Sequence, residues 1–205
     1  LLLAGSETAL ASHREAHATI VVDELSTITQ LLDTHGATVT AGPVETPHGS
    51  QLTARHPGGA VVEYVQWHEE LRQQALTSAG DPAPAAPVTG VFARLYASAV
   101  DTSLPVLRDL LGTEPALRFN YLDLELAGIG DFLLVTGTPQ ALAPVTSTHV
   151  THLVGDLDAA LRRVSEHGGE CVSGPNQVPT GRNATVTLPG GPRIEFVEPS
   201  ALEAA

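Results

Sequence analysis

One histidine and one glutamate keep the same spacing twice in this 205-residue chain, His17 with Glu63 and His149 with Glu195. They do so because the chain is internally duplicated. Residues 1–66 laid over 133–198 at a constant offset of 132 match without a gap, and roughly a third of the positions are identical. Gly42-Pro43 falls on Gly174-Pro175, and PGGAVVEYV (57–65) falls on PGGPRIEFV (189–197). An imidazole and a carboxylate held in step can line a cavity and hydrogen-bond a ligand, or simply satisfy each other. Other chemistries lack their residues. No phosphate-cradling glycine loop is present, because the Gly-Gly pairs belong to hairpin turns. Serine and cysteine nucleophile motifs are absent as well.

The duplicated unit reads as strand, helix and three strands. In the first copy a β-branched run at His17–Val22 precedes a helix with Leu25, Ile28, Leu31 and Leu32 at helical spacing, closed by Gly36. Strands follow at Ala37–Ala41, broken by Gly42-Pro43, then at Ser50–His56 and Ala60–Gln66. The last copy repeats the plan over residues 149–198, and residues 91–137 carry it in diverged form. Between them, 67–90 reads as a linker with an Ala/Pro-rich end. Residues 1–5 match the last strand of a unit, so a preceding unit of about 40 residues is expected before them.

Strand alternation sets Phe92, Arg94 and Tyr96 on one face, shared with His149, Thr151 and Leu153. If that face lines a cavity, Arg94 and Tyr96 can contact polar groups of a ligand and Phe92 can stack on it. Arg182 and Asn183, in a turn near the expected cavity mouth, are further candidates, Arg182 as a clamp for an anionic group. His35 and His167 end helices, where they serve the terminal carbonyls. His13, His48, His56 and His68 read as surface residues, and Cys171, in an apolar run, as a buried thiol.

Ten basic against 23 acidic residues give a net charge of −13. That argues against a nucleic-acid partner and suits a cationic ligand. No apolar run approaches the length of a membrane span, so no membrane partner is expected and a cytoplasmic location follows by default. A single cysteine excludes a disulfide framework and a cysteine-rich zinc site.

Tandem βαβββ units carrying H…DLDAAL…HG…GP…PGG…IEF resemble the vicinal oxygen chelate superfamily, which includes glyoxalase I, bleomycin-resistance proteins and extradiol dioxygenases. The resemblance implies an α+β fold in which paired βαβββ modules curl mixed sheets around a cavity. It implies a complete domain over 91–199 (modules 91–137 and 149–198) and the second half of another over 1–66. It also implies divalent-metal ligands on the first and last strands of a unit. By position these are His149 and Glu195, and His17 and Glu63, holding Ni, Mn, Fe or Zn for a lyase, isomerase or dioxygenase. The partner modules depart from that pattern. Phe92 lies opposite His149, Leu134 opposite Glu195 and Leu2 opposite Glu63, which leaves each shell short of the usual three protein ligands. Only a topology in which the two His/Glu units face each other would gather two His and two Glu. The reading that follows is a small-molecule binder of the bleomycin-resistance type with no metal, and the metal-dependent enzyme is its alternative. Homodimerisation is a further expectation carried by the resemblance.

Overall fold

The structure is a computed structural model and describes residues 5–7, 13–78 and 88–200. Leu2 and most of the Ala/Pro-rich linker therefore lie outside the described residues. Among the described residues there are twelve strands: β1 (Ala18–Val21), β2 (Thr38–Thr46), β3 (Gly49–Arg55), β4 (Val61–Trp67), β5 (Val88–Ala97), β6 (Leu117–Tyr121), β7 (Leu124–Ile129), β8 (Phe132–Gly137), β9 (Thr148–Val154), β10 (Glu170–Val178), β11 (Gly181–Thr187) and β12 (Arg193–Pro199). The helices are α1 (Leu25–Thr34), α2 (Glu69–Ser78), α3 (Val100–Leu111), α4 (Pro139–Leu142) and α5 (Leu157–Glu166). No helix among the described residues is long and apolar enough to cross a membrane.

The strands form two mixed sheets, one of four in the order β1-β4-β3-β2 and one of eight in the order β10-β11-β12-β9-β5-β8-β7-β6. By packing, the chain divides into one unit of residues 1–80 with 95–114 and another of 81–94 with 115–205. Helix α3 thus goes with the first unit, and the strands that follow it in its own module go with the second. It packs there against α1, and His35 Nε2 at the end of α1 donates to the Asp109 carboxylate at 2.7 Å. Residues 67–90 are not a plain linker either, since α2 occupies part of them.

Each duplicated module is assembled by the same rules. In α5, Leu157, Ala160, Leu161 and Val164 recur at helical spacing, and they pack on the alternate strand residues Val154, Ala184, Val186 and Phe196. The helix N-termini are satisfied from the last strand of the module. Gln66 accepts the Leu25 N–H at 3.0 Å in the first copy, and its counterpart Glu198 accepts the Leu157 N–H at 3.2 Å in the last.

Gly42-Pro43 and Gly174-Pro175 do not end their strands as expected. β2 and β10 run through them with register shifts against β3 and β11, so these dipeptides form bulges that keep the ladder going. Glycine is required there: a Cβ on Gly42 would lie 2.5 Å from the Gln51 carbonyl oxygen.

The hairpin turn Pro57-Gly58-Gly59 is seated in the first unit. Gly58 accepts the Ser98 N–H at 2.7 Å, and Ser103 Oγ donates to the Pro57 carbonyl at 3.0 Å. Gly58 has φ +89°, and a Cβ there would approach Ser103 Oγ to 2.6 Å. Its counterpart Gly190 has φ +90° with nothing within 4 Å. Both Gly→Ala changes carry left-handed strain of about 1–2 kcal/mol, and only Gly58→Ala adds overpacking of about 1–3 kcal/mol. Urea unfolding should therefore show the larger loss for Gly58→Ala; equal losses would mean that Ser103 moves aside freely.

Candidate functional site

Thr151 on β9 is in register with Phe92 on β5 and with Glu195 on β12. Residues on the other side of the same strands face α5, so the odd positions 151, 183 and 195 are free to converge.

Glu195 is the centre of that convergence. One of its carboxylate oxygens receives the Arg94 guanidinium in an ion pair and accepts from Thr151 Oγ1 at 3.0 Å. The other accepts from Asn183 Nδ2 at 2.9 Å. Arg94 Nε also donates to Thr151 Oγ1 at 2.8 Å. The pair is buried, Arg94 being 5% exposed and Glu195 9%. Low polarity makes such a pair electrostatically strong and a lone member of it costly. Four polar side chains from β5, β9, β11 and β12 thereby hold one another in fixed positions. Phe92 stands half-buried on the same face.

The four-stranded sheet reproduces part of this. Thr19 Oγ1 donates to Glu63 at 2.8 Å, as Thr151 does to Glu195, and Thr19 and Glu63 are in register on β1 and β4. His13 Nδ1 lies 3.8 Å from the other Glu63 oxygen. His17 Nδ1 accepts the Val61 N–H at 3.2 Å, and its ring meets Tyr96 edge-on with centroids 5.5 Å apart.

Divalent ions, which the resemblance implied, do not fit these donors. The Glu195 lone pairs are directed at a guanidinium, a hydroxyl and an amide, and the guanidinium is itself a cation. His149 is exposed, with partial desolvation holding its imidazole below the usual pKa, and it is no partner in the Glu195 network. His17 has its Nδ1 lone pair committed to the backbone, which leaves the proton on Nε2 in the neutral ring. Leu134 is fully buried and supplies no donor. Among the described residues no group of three or more His, Cys, Asp or Glu side chains could hold a metal ion.

Several positions differ from expectation. Arg182 is on the opposite side of β11 from Asn183 and is engaged by Asp158 at 3.1 Å and Glu198 at 3.2 Å. Those carboxylates raise its pKa further, Asp158 foremost. Tyr96 belongs to the first unit, where its ring meets that of His17. Cys171 is exposed, because the bulged strand β10 is exposed along most of its length. His56 is buried at 3% exposure and hydrogen-bonds the Tyr64 hydroxyl at 2.7 Å. Burial pulls its imidazole down to about 4, with the charge of His35 adding, and pushes the Tyr64 hydroxyl up. The other helix-ending histidine behaves as expected, His167 Nδ1 donating to the Arg163 carbonyl at 2.8 Å.

Thr151 was missed as a participant, although the signal was present. Thr19 and Thr151 are identical in the two copies and follow the repeated histidines by two residues, which places them on the same face.

Residues 75–196 match the family described as the Glyoxalase/Bleomycin resistance protein/Dioxygenase superfamily. An uncharacterised protein from Methanosarcina mazei is similar at 39% identity over 57% of this chain and 96% of its own, with a TM-score of 0.54. Methylmalonyl-CoA epimerase from Mycobacterium tuberculosis is similar at 21% identity over 60% of this chain and 97% of its own, with a TM-score of 0.50. The 2,3-dioxygenase LapB from Pseudomonas sp. KL28 covers 89% of this chain with 71% of its own, at 16% identity and a TM-score of 0.54. The last two likenesses are of fold. No functionally curated protein matches the chain. Sheet order, module plan and matched residues agree, and the chain belongs to the Glyoxalase/Bleomycin resistance protein/Dioxygenase superfamily.

Proposed function

We propose that this protein binds a small molecule directly on the face of Phe92, Arg94, Thr151, Asn183 and Glu195, with no divalent ion in between. The observation that carries the reading is the buried Arg94–Glu195 pair. A guanidinium takes the place beside the carboxylate that a metal ion would need, and Thr151 and Asn183 complete the carboxylate's hydrogen bonding. Such a preorganised set offers donors to a ligand's oxygen or nitrogen atoms, and Phe92 offers a ring to stack on. The acidic balance of the chain would draw a ligand carrying positive charge.

Elemental analysis of the full chain, purified without chelator and then offered Ni²⁺, Mn²⁺, Fe²⁺ or Zn²⁺ in turn, tests the metal-free part. Well under one ion per chain is expected in every case. One ion per chain that disappears in a His149→Ala/Glu195→Ala variant would sink the reading. A thermal-shift panel of small cationic and neutral aromatic compounds tests the binding part. Hits should weaken about tenfold or more in Phe92→Ala, the loss expected for about 1.4 kcal/mol of stacking. Hits indifferent to Phe92→Ala and Asn183→Ala would place the ligand elsewhere.

A further inference from the structure

The polar side chains around Glu195 fall into two groups. Those of the buried network are committed to one another. Both Glu195 oxygens accept, Thr151 Oγ1 donates to one of them and accepts from Arg94 Nε, and Asn183 Oδ1 accepts from Asn176 Nδ2 at 3.4 Å. This network fixes the shape of the face and leaves no carboxylate oxygen of Glu195 open. His149 is of the other kind. Strand alternation assigns it to the side of Thr151, two residues away. Among the described residues no side chain bonds to its imidazole or stacks on it. The ladder between β9 and β12 shifts register between Thr148 and Val150, and such a bulge tips the intervening side chain, here His149, out of the ladder. Phe92 is in register with Thr151, which makes Phe92 and His149 diagonal neighbours on adjacent strands, with a spacing of about 7–8 Å.

Resting on ligand binding at the Phe92 face, we propose that the ligand is a primary organic ammonium ion, its N–H donating to a ring nitrogen of His149 and its apolar part lying on Phe92. His149 supplies the acceptor that the closed network lacks. A cation that donates to it makes a charge-assisted hydrogen bond and leaves the Arg94–Glu195 pair undisturbed. An amine two methylenes from a ring can reach both neighbours of the diagonal. The excess of 23 acidic over ten basic residues favours the approach of a cation.

Isothermal titration calorimetry of the full chain at neutral pH, in EDTA, compares 2-phenylethylamine with 2-phenylethyl methyl ether, which has neither charge nor donor. The amine should bind about tenfold more tightly or better, the gain of a charge-assisted hydrogen bond. His149→Ala should remove that preference, and His149→Gln, which retains an acceptor, should restore part of it. Phe92→Ala should weaken both probes together. Because His149 is exposed, thermal unfolding of its variants should match the parent. Equal affinity of the parent for the two probes overturns the proposal, as does a preference for the amine that survives His149→Ala. A parent chain that binds neither probe overturns it too, and other aromatic compounds whose binding needs Phe92 would then preserve the face and discard only the ligand's class. Amine binding indifferent to Phe92→Ala and Asn183→Ala as well as to His149→Ala would discard the face itself.

Discussion

Arg94→Ala is expected to destabilise the protein by about 3–5 kcal/mol, the cost of stranding a buried charge. The arginine side chain is 6% exposed and that of Glu195 is 11% exposed, so water does not replace the lost guanidinium. Thr151 and Asn183 still donate to the carboxylate but cannot neutralise it. Glu195→Gln should be costly for the converse reason, leaving the guanidinium buried with a neutral amide. Replacing both, as Arg94→Met/Glu195→Gln, should restore much of the loss, because removing the two charges together also removes the need to desolvate them. Urea unfolding of the parent, Arg94→Met, Glu195→Gln and the double variant closes the cycle. A loss under about 1 kcal/mol for Arg94→Ala, the size of an exposed pair, would mean that the site is wetter than its geometry implies. The same series separates stability from binding: a ligand held by Arg94 should be lost in the double variant even where folding recovers.

Acid should weaken the first unit through His56. Its imidazole is buried against Tyr64 and held at about 4 instead of the usual 6.5, by burial first and by His35 second. The sign follows from proton counts. Between these two values the unfolded chain binds a proton that the folded chain refuses, so the stability present above 6.5 is lost as the pH falls towards 4. Over the full interval that amounts to about 3 kcal/mol. The last copy of the module indicates the control, since it carries Leu188 and Phe196 at the positions of His56 and Tyr64, both in apolar packing around α5. A His56→Leu/Tyr64→Phe variant should lose most of this pH dependence while keeping its stability near neutrality. A parent protein whose urea midpoint is flat across that interval would show that His56 accepts a proton in the folded state.

Much of this architecture is written in the chain. Repeated glycines, prolines and apolar spacings mark modules whose strands and helices form close to their expected positions, because a helix period of 3.6 and a strand period of 2 are local properties of the backbone. The shared face of Phe92, Arg94 and Thr151 follows from the same alternation. Pairing across long separations is not local. Whether Arg94 would reach solvent or a carboxylate depended on Glu195, 101 residues away, being brought beside it by β9 and β12. The bulges at Gly42 and Gly174 depended on partner strands holding the ladder open around them. Burial of His56 depended on Tyr64, its partner across a hairpin, and on the unit that closes over both. The sequence by itself determined the modules and the residues able to do chemistry. The tertiary structure decided which of those residues meet, because a charge or a lone pair acquires its role only from the group that fills the space beside it.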